Sequence, residues 1–161
     1  NVLKCVAEDY ITISPNSILK YGDFVFAYTS EDIEGSGNFT YLNSDVQTFA
    51  GYHTIIFRTR AENVVSRYLA YLFSSKSYRA QIQCKVKGVK VFSISQGILK
   101  TTYVLLPNIE EQEAIVSYLD QKSSQIDTLI SIKQQKIDEL KEYKKSMIYE
   151  YITGKKQVPN E

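Results

Sequence analysis

"LPNIEEQEAIVSYLDQKSSQIDTLISIKQQKIDELKEYKKSMIYEYITGK", residues 106–155, carries the decision about the fold. From Ile109 to Thr153 no proline or glycine interrupts it. Val116, Leu119, Ser123, Ile126, Ile130, Lys133, Ile137, Leu140, Lys144, Met147 and Tyr151 follow an alternating three-four spacing for about five heptads. That spacing predicts a narrow seam that wants a partner helix, not the broad stripe of a core helix. Asn108 is a candidate cap, Glu110 and Glu111 sit at the positive end, and Gly154 is a natural stop. At roughly 1.5 Å per residue the helix spans about 60 to 65 Å, so most of it is expected to project from a domain of this size.

The preceding hundred-odd residues alternate short β-like runs with turn signals. "DFVFAYT" after Gly22, "YHTIIFRTR" after Gly51 and "TTYVLLP" stopped by Pro107 are rich in aromatic and β-branched residues and read as strands. "AENVVSRYLAYLFSSKSYRAQI" places Val65, Leu69, Leu72 and Phe73 on one stripe, which predicts a helix docked on the sheet. "TSEDIEGSGN" is polar, rich in Gly and Ser and free of apolar periodicity, so it reads as an exposed loop.

The chain has 161 residues, enough for one domain of ordinary size with an appendage. No run approaches the roughly 18 apolar residues of a membrane span, and "NVLKCVAEDY" lacks a signal-peptide pattern, so a soluble, intracellular protein is expected. Cys5 and Cys84 lie far apart and His53 is the single histidine, which argues against a disulfide framework, a zinc site and most His-based catalysis. The net charge of +1 conceals a strong asymmetry. Residues 58–109 hold nine Lys and Arg against Glu62 alone, a net of +8, while residues 1–57 and 110–161 are net acidic. A basic segment inside a neutral total is the pattern of one anionic partner and a separate surface for something else.

The tail motif, a proline-ended strand followed by EEQ, a long helix and a closing TGK, resembles the helical region of specificity subunits in type I restriction-modification systems. Upstream, "LKYGDFVFAYTSEDIEGSG", "GYHTIIFRTR" and "GVKVFSISQGILKTTYVLLP" resemble one class of their target recognition domains. The resemblance implies a non-catalytic subunit whose recognition domain grips one half of a bipartite double-stranded DNA target. Its helices would space two such domains and dock methyltransferase subunits, and through them restriction subunits, in the cytoplasm of a bacterium or archaeon. The expected fold is α+β: a small mixed α/β target recognition domain over 1–109, one long projecting coiled-coil helix over 110–154, and a flexible tail over 155–161. Complete family members carry two recognition domains and two helices. This chain has one of each, which implies either a half-size subunit that pairs with a second copy as an antiparallel homodimer, or part of a longer subunit.

Within the basic segment, Lys76, Arg79, Lys85, Lys87 and Lys90 are candidate contacts to the DNA backbone, centred on "KVKGVK" with a turn at Gly88. The alternative for the same run is a solvated, lysine-decorated hairpin. Base reading needs donors and acceptors on loops, and Tyr28, Thr29, Ser30, Glu31, Asn38, Tyr52 and His53 supply them. Glu31 is suited to a cytosine amino group and Asn38 to adenine, although plain loop hydration explains each residue equally well. Leu119, Ile126, Ile130, Ile137, Leu140 and Met147 form the expected helix interface. The only Glu-x-Lys, Glu142 to Lys144, lies on the long helix without a preceding Pro-Asp, and "GSG" at Gly35 lacks a strand-turn-helix context. No catalytic residue, cofactor or metal is therefore expected. A competing reading is a coiled-coil protein-interaction adaptor without DNA specificity, but such an adaptor has no use for the +8 segment.

Overall fold

The computed structural model describes residues 14–88 and 90–159; "NVLKCVAEDY", Cys5 and Val89 lie outside them. The chain divides into two compact units, one running to Val116 and one from Ser117 onward.

The first unit is built on β1 (Phe24–Ala27), the centre of a three-stranded antiparallel sheet completed by β3 (Phe39–Tyr41) and β4 (Thr54–Phe57). Alternation along β1 sends Phe24 and Phe26 into the core, where both stack against Phe73 at ring-centroid distances of 5.0 and 5.6 Å. Phe39, Phe57 and Tyr78 complete the aromatic cluster around Phe73. Edge-on and tilted contacts of this kind add about 0.5–1.5 kcal/mol each beyond area burial, which suits a small core. A second, two-stranded ribbon joins β2 (Thr29–Ser30) to β5 (Phe92–Ser93).

The turn before β1 is closed by Gly22, whose φ of +88° only glycine adopts without strain. Next to it Asp23 is buried, accepting from Lys20 N at 2.7 Å and from Arg58 Nε and a terminal nitrogen at 2.8 and 2.6 Å. Burial pushes the Asp23 carboxyl up, but the hydrogen bonds from Arg58 and the Lys20 amide outweigh it and hold the group below the ordinary carboxylate range.

Two expectations need correction. The segment from Ala61 to Ile82 is not one helix but two, α1 (Ser66–Ser74) and α2 (Lys76–Gln83). Ser75 breaks the run with extended backbone (ψ 144°), and its hydroxyl accepts from Tyr78 N to cap α2. Ser favours this local bond over helix continuation, which is why a Ser-Ser pair divides an otherwise periodic stripe. The predicted stripe itself stands, with Leu69 and Phe73 buried and Val65 and Leu72 packed beside them.

"TTYVLLP" is not a strand either. Thr101 ends a short helix, α3 (Gln96–Lys100), and the residues after it find a side chain where a strand partner would be. Gln81 Oε1 accepts from Tyr103 N at 2.8 Å, Gln81 Nε2 donates to Tyr103 O at 3.0 Å, and Tyr68 Oη donates to Leu105 O at 2.9 Å. Its aromatic and β-branched composition describes fitness for a half-buried pleated surface, yet Tyr103 and Leu105 are more than four-fifths exposed.

The long helix, α4, runs Ile109–Ile152, 44 residues and thus roughly 66 Å. Its predicted ends are present: Asn108 Oδ1 accepts from Glu111 N at 2.8 Å, and Gly154 takes a left-handed φ of +73°. From Ser117 on, most of its side chains are exposed, including Ile126, Ile130, Ile137 and Leu140, while Leu119 and Met147 are half-buried. The seam is not the sole apolar stripe. Tyr118, Leu129, Ile132 and Tyr143 are exposed as well, and at about 100° per residue they form a second stripe beside the first. The intrahelical ion pairs are Lys136 with Glu139, Lys141 with Asp138 and Lys145 with Glu142, whereas Lys133 and Lys144 pair with no acid among the described residues. Among these residues no helix is long and apolar enough to cross a membrane.

Candidate nucleic-acid interface

β1 runs toward Ala27, and both antiparallel neighbours start there, with Phe26 opposite Phe39 and Ala27 opposite Thr54. The segment leaving β1 therefore meets the segments entering β3 and β4 at one end of the sheet. Ala27 N donates to Asn38 O at 3.0 Å and Tyr28 N to His53 O at 2.9 Å. Three sequence-predicted residues, Tyr28, Asn38 and His53, are thus joined through neighbouring backbone bonds although they span 25 positions of the chain.

The ribbon continues from this end. Thr29 stands opposite Ser93 and Ser30 opposite Phe92, Ile94 N donates to Tyr28 O at 2.8 Å, and Lys87 forms a further antiparallel bridge with Ser93. Thr29, Ser93 and Lys87 are all exposed. The turn that returns the chain from Lys87 to Ser93 demands glycine, since a Cβ at Gly88 would lie 2.0 Å from Val91 O. The glycine is thus needed for contact with its own chain.

His53 is the non-glycine residue with positive φ (59°) among the described residues. Such a conformation costs on the order of 1 kcal/mol and persists where neighbours over-determine it. Here the Tyr28 amide holds its carbonyl, and Thr54 Oγ1 donates to Gly51 O at 2.7 Å across the same turn. The turn leaves Tyr52 83% exposed at its tip.

The acidic loop is more ordered than its composition suggests. Asp32 Oδ1 accepts from Gly35 N at 2.5 Å, Asp32 N donates to Ser30 Oγ, and Ser36 is fully buried, with its amide donating to Ile33 O. Gly37, at φ +89°, packs on Ile82 of α2. The Glu34 carbonyl accepts from both the Arg79 guanidinium and Gln83 Nε2. Glu31 and Asn38 are exposed at opposite ends of this braced loop.

The candidate phosphate contacts separate into two groups. Arg79 is engaged with the loop, and Lys85 Nζ donates to Thr101 O and Oγ1 at 2.8 and 2.9 Å, completing the C-terminal end of α3. Both are braces. The side chains of Lys76, Lys87 and Lys90 are exposed and make no hydrogen bond or ion pair among the described residues. Sequence reasoning did not single out Arg67, whose guanidinium lies 5.9 Å from the Tyr41 ring and 5.0 Å from that of Tyr71, near Asn38 and Arg79 in one concave patch. A separate cavity of about 390 Å³, bordered by Ile55, Phe57, Phe73, Leu99, Lys100 and Leu106, has no carboxylate, thiol or imidazole in its lining. No group of three His, Cys, Asp or Glu that could hold a metal ion occurs among the described residues.

The model of one protein family, the type I restriction modification DNA specificity domain, matches residues 5–142. The chain belongs to that family. It is 28% identical over 154 residues to the specificity subunit of the type I restriction enzyme MjaVIII of Methanocaldococcus jannaschii. That alignment covers 95% of this chain and 35% of the relative, so the chain spans about a third of the relative's length.

In this specificity-domain chain the EEQ signature has a structural meaning that sequence reasoning missed. Gln112, at the end of the first turn of α4, is fully buried. Its Oε1 accepts from Val65 N at 2.9 Å, at the start of α1, and its Nε2 donates to Asn63 O at 3.1 Å and Pro107 O at 2.8 Å. One side-chain amide thus satisfies an orphan donor of one helix and two loop carbonyls, which is what fastens the first turns of α4 to the first unit. A glutamine inside a helix whose neighbours are Glu111 and Glu113 looks like solvated surface; only its tertiary partners distinguish it.

Proposed function

We propose that this chain is a non-catalytic DNA-recognition element of a type I restriction-modification system, with residues 1–109 reading one half of a bipartite duplex target in the cytoplasm. Tyr28, Thr29, Glu31, Asn38, Tyr52 and His53 face the bases, Lys76, Lys87 and Lys90 hold phosphates, and Arg79, Lys85 and Ser30 shape the surface that carries them. The observation that carries this reading is the convergence of those loop residues on one end of the sheet, beside a ribbon that bears Lys87. Backbone contacts position such a protein and base contacts specify, so a rigid polar surface edged by lysine has the composition required.

Residues 110–154 act as spacer and docking element, with 155–161 as tail. The seam of Leu119, Ile126, Ile130, Ile137, Leu140 and Met147 pairs antiparallel with a second copy, or with the second half of a full-length subunit. The second stripe, through Leu129 and Ile132, receives methyltransferase subunits and through them restriction subunits. Exposed apolar area of this extent on a helix marks an interface, and Lys133 and Lys144 await acids from a partner helix. Filter binding of the chain to random and selected duplexes tests the recognition claim. Selected sequence should be retained at least about tenfold better, the low end of specific over non-specific binding being higher still; equal retention refutes it.

A further inference from the structure

The ribbon has a geometry that narrows where this surface meets DNA, and the inference rests on the recognition reading above. Thr29 and Ser93 stand directly opposite one another in register, both exposed, while their neighbours Ser30 and Phe92 are half-buried. Lys87 flanks Ser93 on the other side, so Thr29, Ser93 and Lys87 stand in one register row across the strands. Directly opposite residues have Cβ atoms about 4.5–5.5 Å apart, so the two hydroxyls span little more than one base-pair step. A two-stranded ribbon fits the major groove of undistorted B-DNA, roughly 12 Å wide, and enters the minor groove, roughly 6 Å wide, only by deforming the duplex.

The adjoining acidic loop points the same way. Glu31, Asp32 and Glu34 are exposed at the end of β2, and carboxylates there would be repelled by phosphate. Against DNA they suit base edges that offer donors, and the major groove offers the amino groups of both cytosine and adenine. The loop is fixed there by the Arg79 and Gln83 bonds to the Glu34 carbonyl. We propose that the β2–β5 ribbon is the major-groove reading element and that Thr29 and Ser93 are its specificity-determining pair, with Lys87 on the adjacent phosphate.

The major groove distinguishes A·T from T·A, whereas the minor groove presents the same acceptors for both. The test is selection from a randomised duplex pool by the full 161-residue chain and by a Thr29→Val, Ser93→Ala double variant. The wild type should enrich one orientation at one or two base pairs by about tenfold, and the double variant should lose that orientation while non-specific affinity stays within about twofold. Inosine in place of guanosine, which removes only a minor-groove amino group, should leave wild-type binding unchanged; this arm does not depend on the variant folding. A double variant that recovers the parental motif, or an inosine duplex that loses the wild type's preference, overturns the ribbon assignment alone. A wild-type selection that enriches no motif overturns the recognition reading itself.

Discussion

Replacing Gln112 by Met tests what fastens the first turns of α4 to the first unit. Met matches Gln closely in length and in helix propensity, so the substitution removes hydrogen bonds while hardly altering the helix itself. Three partners are orphaned: Val65 N, Pro107 O and Asn63 O. Val65 and Pro107 are half-buried and Asn63 is exposed, so water replaces the amide at Asn63 but reaches the other two poorly. At about 1 to 1.5 kcal/mol for each shielded group, the loss is about 2 to 3 kcal/mol. Urea unfolding followed by near-ultraviolet dichroism of the 13 tyrosines reports the total, and hydrogen exchange at the Val65 amide reports the local bond. Glu113→Met, on the exposed face of the same turn, should fall within about 0.5 kcal/mol of wild type. A Gln112→Met loss as small as that of Glu113→Met, with the Val65 amide still protected, would refute the reasoning.

Asp23→Asn should destabilise by about 1 to 2 kcal/mol, below the range for a wholly buried pair because Arg58 is 38% exposed. Since the folded Asp23 carboxyl lies below its ordinary range, its contribution is complete above an unfolded pKa of about 3.9. It vanishes as pH falls through the lower folded value. Urea midpoints of wild type and variant should therefore keep a constant gap from pH 7 down to about 4 and draw together as pH falls further, and curves that stay parallel at all pH would discount the pair. Lys87→Ala with Lys90→Ala should lower the slope of log K against log salt by about 2, at roughly 0.9 per phosphate contact. Lys85→Ala should leave that slope unchanged and weaken α3 instead, as seen in faster exchange of the Thr101 and Thr102 amides. Sedimentation should find the chain dimeric at micromolar concentration and an Ile130→Glu, Leu140→Glu variant monomeric; a monomeric wild type would sink self-pairing through the seam.

What local chemistry sets could be read directly from the order of residues. The long helix follows from an unbroken run without proline or glycine, a capping Asn108 and a terminating Gly154, all of which act within a few residues of themselves. Strands β1 and β4 were legible because their runs are rich in aromatic and β-branched residues and each follows a glycine turn; which residues face the core came from the structure. The family was legible for the same reason, since its signature is a contiguous string. Tertiary structure decided whatever depends on a partner distant in sequence. It turned "TTYVLLP" from a strand into an irregular segment held by Gln81 and Tyr68, and made Gln112 a buried joint instead of solvated surface. It also sorted the lysines and arginines: Arg79 and Lys85 are spent on a loop carbonyl and a helix end, while Lys87 comes to stand beside Ser93 and Thr29. A charge count treats these cations alike because charge is a property of the residue, whereas availability is a property of what the fold has placed within hydrogen-bond reach.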